Sequence, residues 1–393
     1  MSVQRHYVLA AGGTGGHMIP AHALAQELMR RGHRVALVTD ERGARIPGLF
    51  DGAQTHILPA GRLAGGIRGY LRAGREIWAG RGMARRLYDT FRPSAVVGFG
   101  GYPALPALLG ALADDIPTAI HEQNAVLGRV NRFLAKRVDA IATAYPRVER
   151  LSHKLADKVH LIGNPVREEV LAIRDEDFPE LTEDSIFRVL VTGGSQGATI
   201  LSDVVPEGLG LLPMNLRRRL QVTQQCRAED IEKVRDLYAD LSIPADLATY
   251  LPDLPDRLAW AHLVIARAGA STIAELTAAG RPAILIPLPS ATDDHQTANA
   301  REMHEAGGAR SIPQRRFTSV ELAKQMQKMA LEPGALANAA KRALNCGRPD
   351  AVRDLADLVE NLGRTPAPVD LPVEELKFGP IGGQPGRQGA FAA

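Results

Sequence analysis

Three glycine clusters, each following a short apolar run, are the residues of this chain best suited to chemistry. They are Gly12-Gly13-Thr14-Gly15-Gly16-His17, Gly98-Phe99-Gly100-Gly101-Tyr102-Pro103 and Gly193-Gly194-Ser195-Gln196-Gly197. Glycine permits tight turns and close approach of a ligand to the backbone. Where such a turn opens a helix, free N–H groups and the positive end of the helix dipole suit a phosphate. The first cluster precedes a helical pattern with Pro20 in its first turn, Arg30 and Arg31 in its last, and Gly32 at its end. One such loop is an ordinary strand-to-helix turn. Three in corresponding places point to a nucleotide or phosphate ligand.

The spacing also narrows the ligand. Counting a Gly-x-Gly-x-x-Gly fingerprint from Gly13 puts Met18 at the third glycine position, so the dinucleotide pattern fails. Asp40 ends the second apolar run where a ribose-binding acid would stand, which leaves NAD as a lesser alternative. No Gly-Lys-Ser/Thr sequence exists, which argues against a P-loop. Cys226 and Cys346 are the only cysteines, too few for a disulfide framework or a thiolate zinc site. His121-Glu122-Gln123-Asn124-Ala125 lacks the second histidine of a zincin. The one formal Asp-x-Asp, Asp175-Glu176-Asp177, lies in a polar stretch and reads as solvated charge. No metal and no cofactor are expected.

The elements that position these loops follow from the hydropathy pattern. Tyr7–Ala11, Val35–Thr39, Thr55–Leu58, Ala95–Phe99, Thr118–His121 and Ala140–Ala144 read as buried strands, with helical patterns between several of them. A second set follows the acidic stretch Arg174 to Asp184: Arg188–Val191, Gln221–Thr223, Ala248–Leu251, Leu263–Ala266 and Ala283–Pro287. Strand–helix alternation implies parallel sheets covered on both faces. The expectation is α/β: two doubly wound, Rossmann-like domains joined near Asn164 to Asp184, with a ligand cleft between them. The divisions are residues 1–165, 166–349, an amphipathic helix at 350–363 packing back toward the first domain, and a Pro/Gly-rich tail at 364–393 expected to be disordered. In the helix, Val352, Leu355, Val359 and Leu362 form the apolar stripe, and Gly363 suits the C′ position.

The chain has 393 residues and a formal net charge of +3, from 47 Lys+Arg and 44 Asp+Glu. A 45% hydrophobic and 23% charged composition is that of a folded soluble protein, which excludes disorder throughout and collagen-like or mucin-like chains. The first residues lack the basic and apolar regions of a signal peptide, and no apolar run reaches the ~18–20 residues of a membrane span. A cytosolic or surface-attached protein is expected. One region departs from the charge balance. Between Arg62 and Arg92 lie Arg62, Arg68, Arg72, Arg75, Arg81, Arg85, Arg86 and Arg92 against only Glu76 and Asp89, with Ile67, Leu71, Ile77, Trp78, Met83 and Leu87 interspersed. That mixture suits an anionic membrane surface; the alternative is a solvated helix packed by its apolar side. No nucleic-acid module is present, and no nucleic-acid partner is expected.

Five segments taken together, Gly12–His17, His121-Glu122-Gln123-Asn124, Gly163-Asn164-Pro165-Val166-Arg167, Gly193–Ala198 and Ala268–Leu276, resemble the MurG family of peptidoglycan N-acetylglucosaminyltransferases. The resemblance runs in order from about residue 5 to 362. It implies a GT-B fold and an inverting transfer of GlcNAc from UDP-GlcNAc to the MurNAc C4 hydroxyl of lipid I (undecaprenyl-pyrophosphoryl-MurNAc-pentapeptide), giving lipid II. It also implies a peripheral location on the cytoplasmic face of the cell (inner) membrane and partners among cell-wall synthesis and division proteins.

Carried over residue by residue, Thr14, Gly15 and Gly16 match the loop facing the donor sugar and diphosphate. His17 matches the position proposed as general base, a role for which neutral imidazole is suited; its alternative is capping or packing at a helix start. Asn124 matches a sugar-contacting amide or is a loop-forming Asx residue. Arg167 and Ser195 match ligands near the diphosphate; the alternatives are a surface arginine and an N-cap. Glu275 matches the ribose ligand, although Thr272-Ile273-Ala274-Glu275 is also a capping-box pattern. Leu251 matches a residue that recognises uracil through its backbone. Gln296 matches a glutamine on the GlcNAc hydroxyls, where related chains often carry two glutamines; here the pair is His295-Gln296. Competing functions are a UDP-GlcNAc 2-epimerase on the same fold, another GT-B lipid glycosyltransferase, and a non-enzymatic membrane-attached scaffold.

Overall fold

The computed structural model describes residues 4–13, 15–45, 50, 52–59, 61, 66–194, 197–332 and 334–363, without the side chains of 67, 68 and 70. The tail at 364–393 lies outside the described residues, as do Thr14, Arg62 and Ser195 and the side chains of Ile67 and Arg68.

Two parallel sheets organise the chain. The first contains β1 (His6–Ala10), β2 (Arg34–Thr39), β3 (Gln54–Ile57), β4 (Ala95–Gly98), β5 (Thr118–Glu122), β6 (Ala140–Thr143) and β7 (Val159–Leu161), in the order β3-β2-β1-β4-β5-β6-β7. The second contains β8 (Phe187–Thr192), β9 (Leu220–Gln225), β10 (Ala245–Ala248), β11 (Leu263–Ala266), β12 (Ala283–Leu285) and β13 (Ala309–Ser311), in the order β10-β9-β8-β11-β12-β13. Every pairing is parallel. In each sheet the strand order reverses beside its first strand, β1 or β8, which opens the crevice where doubly wound folds bind ligands.

Alternation explains why the central strands are apolar throughout. Tyr7 and Leu9 enter one core with Leu24, Leu28 and Val97, while Val8 and Ala10 enter the other with Val96, Leu108 and Ile141. Val189 and Val191 likewise face one core of the second sheet, and Leu190 faces the other. Both faces are covered, so both sets of alternate side chains are buried.

Several expected boundaries move. The strand expected at Ala248–Leu251 is Ala245–Ala248, which frees Tyr250 and Leu251 to wall the cleft. Pro20 lies beyond the first turn, because its helix already starts at Gly15. The segment after Asn164 is no free linker: it carries the helix Glu168–Ala172, and Val166, Val170 and Ile173 are buried in the second domain. The helix Ala351–Leu362 lies on the first domain, burying Leu355, Ala356 and Val359 beside Tyr7 and Leu28. Arg31 pairs with Asp357 at 2.5 Å and Glu360 at 2.7 Å, and His33 Nε2 lies 2.6 Å from Glu360. Gly363 does not adopt the left-handed cap: its φ is −66°, and it is small because a Cβ there would sit 3.2 Å from Ser94 and Tyr7.

Candidate functional site

The loop after β1 delivers the chain to the helix Gly15–Arg30. A Cβ on Gly12 would lie 2.4 Å from the Pro103 ring, and Gly13 has φ +87°, so the turn requires glycine at both positions. Asp40 Oδ1 accepts from Gly13 N at 3.2 Å and Gly43 N at 2.8 Å. This carboxylate braces two loops, which is a structural use and not the ribose contact considered for it. The second glycine cluster packs against the first. A Cβ on Gly101 would meet Gly12 O at 2.9 Å, and one on Gly100 would meet the His17 ring at 3.1 Å. Its glycines therefore make room for the first loop and for His17.

A cleft opens between the domains. Gly15 and Gly16 line it from the first domain; Arg167, Gly194, Leu251 and Glu275 line it from the second. Two helix N-termini border it, those of Gly15–Arg30 and Ala270–Ala278, an arrangement that suits a diphosphate. Tyr250, Leu251, Leu254, Leu258 and Val264 form an apolar wall at one end, where a flat base could lie.

Arg167 Nη2 donates to Glu275 Oε1 at 2.8 Å. Glu275 is 7% exposed, and burial raises its carboxyl pKa, against the opposing pull of Arg167. The capping box read at Thr272–Glu275 does not form. The helix begins at Ala270 with Gly269 as N-cap, so Thr272 is inside it and Glu275 turns toward Arg167. The helix after the third glycine cluster has Ala198 as its N-cap; Ser195 lies outside the described residues.

A second group of polar side chains stands beside the cleft. His17 Nδ1 is 3.0 Å from Gln123 Oε1. Gln123 Nε2 is 2.9 Å from His121 Nδ1 and donates to His121 O at 3.0 Å; His121 Nε2 is 2.9 Å from Gly163 O. His121 has no exposed surface, and burial holds its pKa down to about 4, so it is neutral. Glu122, also buried, accepts from Asn124 N, Asn124 Nδ2, Gly128 N and Asn131 Nδ2, which anchors the Asn124 loop.

Asn124 is tied to the backbone of Ala268, which Gln296 also contacts, by a residue that sequence reasoning missed. Asn299, fully buried, accepts from Ala125 N at 2.7 Å and donates to Asn124 Oδ1 at 3.1 Å and Ala268 O at 3.3 Å. Gln296 Oε1 accepts from Ala268 N at 3.2 Å and Leu288 N at 3.0 Å. Asn299 lies three residues after Gln296 on the helix His295–Glu305, and that spacing, which puts both on one helix face, was the available signal. His295 opens this helix with Nδ1 2.7 Å from Thr292 O, within its own loop. Asp293 adds cross-domain pairs to Arg132 at 3.3 Å and Arg150 at 2.8 Å. His121 and Gln123 were also missed as polar partners of His17, although their segment had been singled out.

The arginine-rich segment forms the helix Gly66–Phe91. Ala73, Gly80, Ala84 and Tyr88 are buried, and Ile77 and Leu87 pack on the core. Leu71 and Trp78, 71% and 70% exposed, point outward among Arg72, Arg75, Arg85 and Arg86. Among the described residues no helix is long and apolar enough to cross a membrane, and no group of three or more His, Cys, Asp or Glu could hold a metal ion.

The chain as a whole is similar to known proteins. The glycosyltransferase family 28 N-terminal domain matches residues 7–143 and its C-terminal domain residues 188–359. The "UDP-N-acetylglucosamine--N-acetylmuramyl-(pentapeptide) pyrophosphoryl-undecaprenol N-acetylglucosamine transferase" of Zymomonas mobilis subsp. mobilis is 69% identical over 363 residues, 92% of this chain and 94% of that protein. The protein of the same name from Novosphingobium aromaticivorans is 68% identical over 365 residues, 93% and 94% of the two chains. Among solved structures, Acinetobacter baumannii MurG has a TM-score of 0.73 at 28% identity, covering 91% of this chain and 99% of that one. The UDP-GlcNAc 2-epimerase of Neisseria meningitidis shares the fold alone, with a TM-score of 0.64 at 14% identity over 90% of this chain and 100% of that one. Two family domains in series and long relatives of high identity make the conclusion direct: the chain belongs to glycosyltransferase family 28, among the N-acetylglucosaminyltransferases of the lipid-linked MurNAc-pentapeptide.

Proposed function

We propose that the protein moves GlcNAc from UDP-GlcNAc onto the MurNAc C4 hydroxyl of lipid I, with inversion at the anomeric carbon. The observation that carries this reading is the cleft itself, where two helix N-termini, Arg167 and Glu275 converge, with His17 following Gly16 of its lining in the chain. In the reaction the C1–O bond to UDP breaks with its electron pair leaving on the diphosphate. The acceptor oxygen bonds to C1 from the opposite face, and its proton passes to His17. The free N–H groups at Gly15 and Gly16, the start of Ala270–Ala278, and Arg167 place positive charge where the leaving group becomes negative. The family resemblance assigns Thr14 and Ser195 to the diphosphate as well. Glu275 takes the ribose hydroxyls, the Leu251 backbone reads uracil, and Asn124 and Gln296 hold the GlcNAc hydroxyls.

In this reading the second domain binds the donor, and the first faces the acceptor and the membrane. Trp78 and Leu71, set among arginines, seat the protein peripherally on the anionic cytoplasmic face of the membrane. Purified protein mixed with labelled UDP-GlcNAc and a lipid I analogue tests the proposal. The expected product is a β-linked GlcNAc–MurNAc lipid, with turnover persisting in EDTA because the charge stabilisation described comes from the chain's own groups. Epimerisation of UDP-GlcNAc without lipid, and no transfer with it, would overturn the reading.

A further inference from the structure

The chain of contacts from Gly163 to His17 has only one consistent placement of hydrogens. Gly163 O can only accept, so His121 Nε2, 2.9 Å away, carries the proton. Because the buried imidazole is neutral, its Nδ1 then has a lone pair and must accept. Gln123 Nε2 supplies that hydrogen at 2.9 Å and gives its other to His121 O at 3.0 Å. Both neighbours of this atom are acceptors, which settles the orientation of the amide. Gln123 Oε1 is thereby aimed at His17 Nδ1, 3.0 Å away, and an amide oxygen can only accept. Neutral His17 must therefore hold its proton on Nδ1, leaving the lone pair on Nε2. Free neutral imidazole side chains favour the opposite tautomer, with hydrogen on Nε2.

We propose that Gln123, oriented by His121, is a positioning residue that locks His17 in the Nδ1–H tautomer and presents Nε2 as the proton acceptor. This deepens the reading of His17 as base and rests on it. During transfer the acceptor O–H bond breaks and its proton goes to His17 Nε2, giving an imidazolium. The acceptor oxygen bonds to C1 while the C1–O(phosphate) electron pair leaves with UDP. Gln123 Oε1 steadies the imidazolium through its retained Nδ1–H bond. No proton travels further, since an amide stands between the two histidines. Gly100 serves the same geometry, because a side chain there would press on the His17 ring at 3.1 Å.

The test reads the tautomer directly. Full-length protein with 15N-labelled histidine is examined by long-range 1H–15N NMR above the histidine titration range, His17 being assigned by its loss in His17→Gln. The expected pattern is a protonated Nδ1 and a bare Nε2 in the wild-type protein, with a shift toward Nε2–H in Gln123→Leu. The same substitution is expected to lower kcat about 100-fold, with KM for UDP-GlcNAc changed less than about twofold, because His17 acts on the acceptor proton. A wild-type His17 protonated on Nε2 would overturn the lock and needs no variant to detect. An unchanged tautomer in folded Gln123→Leu would also overturn it. A shifted tautomer with unchanged kcat would uphold the lock and refute the base role of His17 instead.

Discussion

Glu275→Gln separates ligand binding from folding, because the amide keeps the shape of the carboxylate and removes its charge. Glu275 Oε1 receives Arg167 Nη2 at 2.8 Å, while Oε2 has no hydrogen bond among the described residues, and the residue lines the interdomain cleft. If ribose hydroxyls donate to this carboxylate, each such bond to a charged acceptor is worth about 1.5–3 kcal/mol. Losing one lowers UDP affinity about 10- to 100-fold. Folding stability is expected to change by less than about 1 kcal/mol. The substitution removes the cost of burying a charge, and the Arg167 side chain, 32% exposed, can rehydrate. Calorimetric titration with UDP and with 2′,3′-dideoxy-UDP completes a cycle between protein and ligand. The wild-type protein should lose about 10- to 100-fold on removal of the hydroxyls, and Glu275→Gln much less. An equal loss in both proteins would refute the assignment of Glu275 to the ribose and reduce the residue to a partner for Arg167.

Other predictions rest on different parts of the molecule. Asn299→Ala leaves the Ala125 N–H without its buried partner, so chemical denaturation should show about 1–3 kcal/mol lower stability; the wild-type midpoint would argue against the cross-domain bond. Burial holds His121 and His262 at about pKa 4, against 6.5 for the unperturbed side chain. The unfolded chain then binds more protons between those values, and stability must fall as pH drops from about 6.5 toward 4, by up to about 1.4 kcal/mol per pH unit for each histidine. Urea titrations of His262→Asn across this window should show the slope reduced by up to that amount, and an unaltered slope would refute the burial argument. Reversing Arg75 and Arg86 to glutamate should weaken binding to anionic vesicles at least about 30-fold, at about 1 kcal/mol per cation; unchanged sedimentation with vesicles would remove this helix from the membrane contact.

Legibility followed the length and burial of each element. Runs such as Tyr7–Ala11 and Leu263–Ala266 stood out because strands covered on both faces are apolar at every position. Val159–Leu161 and Ala309–Ser311 passed unnoticed: each is a three-residue edge strand with a polar residue at its centre, too short to show a period. The acidic segment after Asn164 looked like a linker because its burying residues, Val166, Val170 and Ile173, are diluted among charges. At the site, glycine clusters and the Asn-Pro-Val-Arg segment were readable as local patterns. The His17–Gln123 and Asn124–Asn299 contacts join residues 106 and 175 positions apart, and only the folded chain creates them. The capping-box pattern at Thr272 misled because local propensity predicts a helix start there, whereas the helix is capped three residues earlier, at Gly269.

The central claim is that the cleft holds the uridine diphosphate so that the sugar's anomeric carbon faces the His17 imidazole. A crystal structure of the protein with UDP-GlcNAc measures this directly. The account predicts the diphosphate at the Gly15–Gly16 turn and Arg167, the ribose at Glu275, and C1 open toward His17 Nε2 with room for an incoming hydroxyl. A nucleotide bound outside this cleft, or bound with C1 turned away from His17, would contradict it.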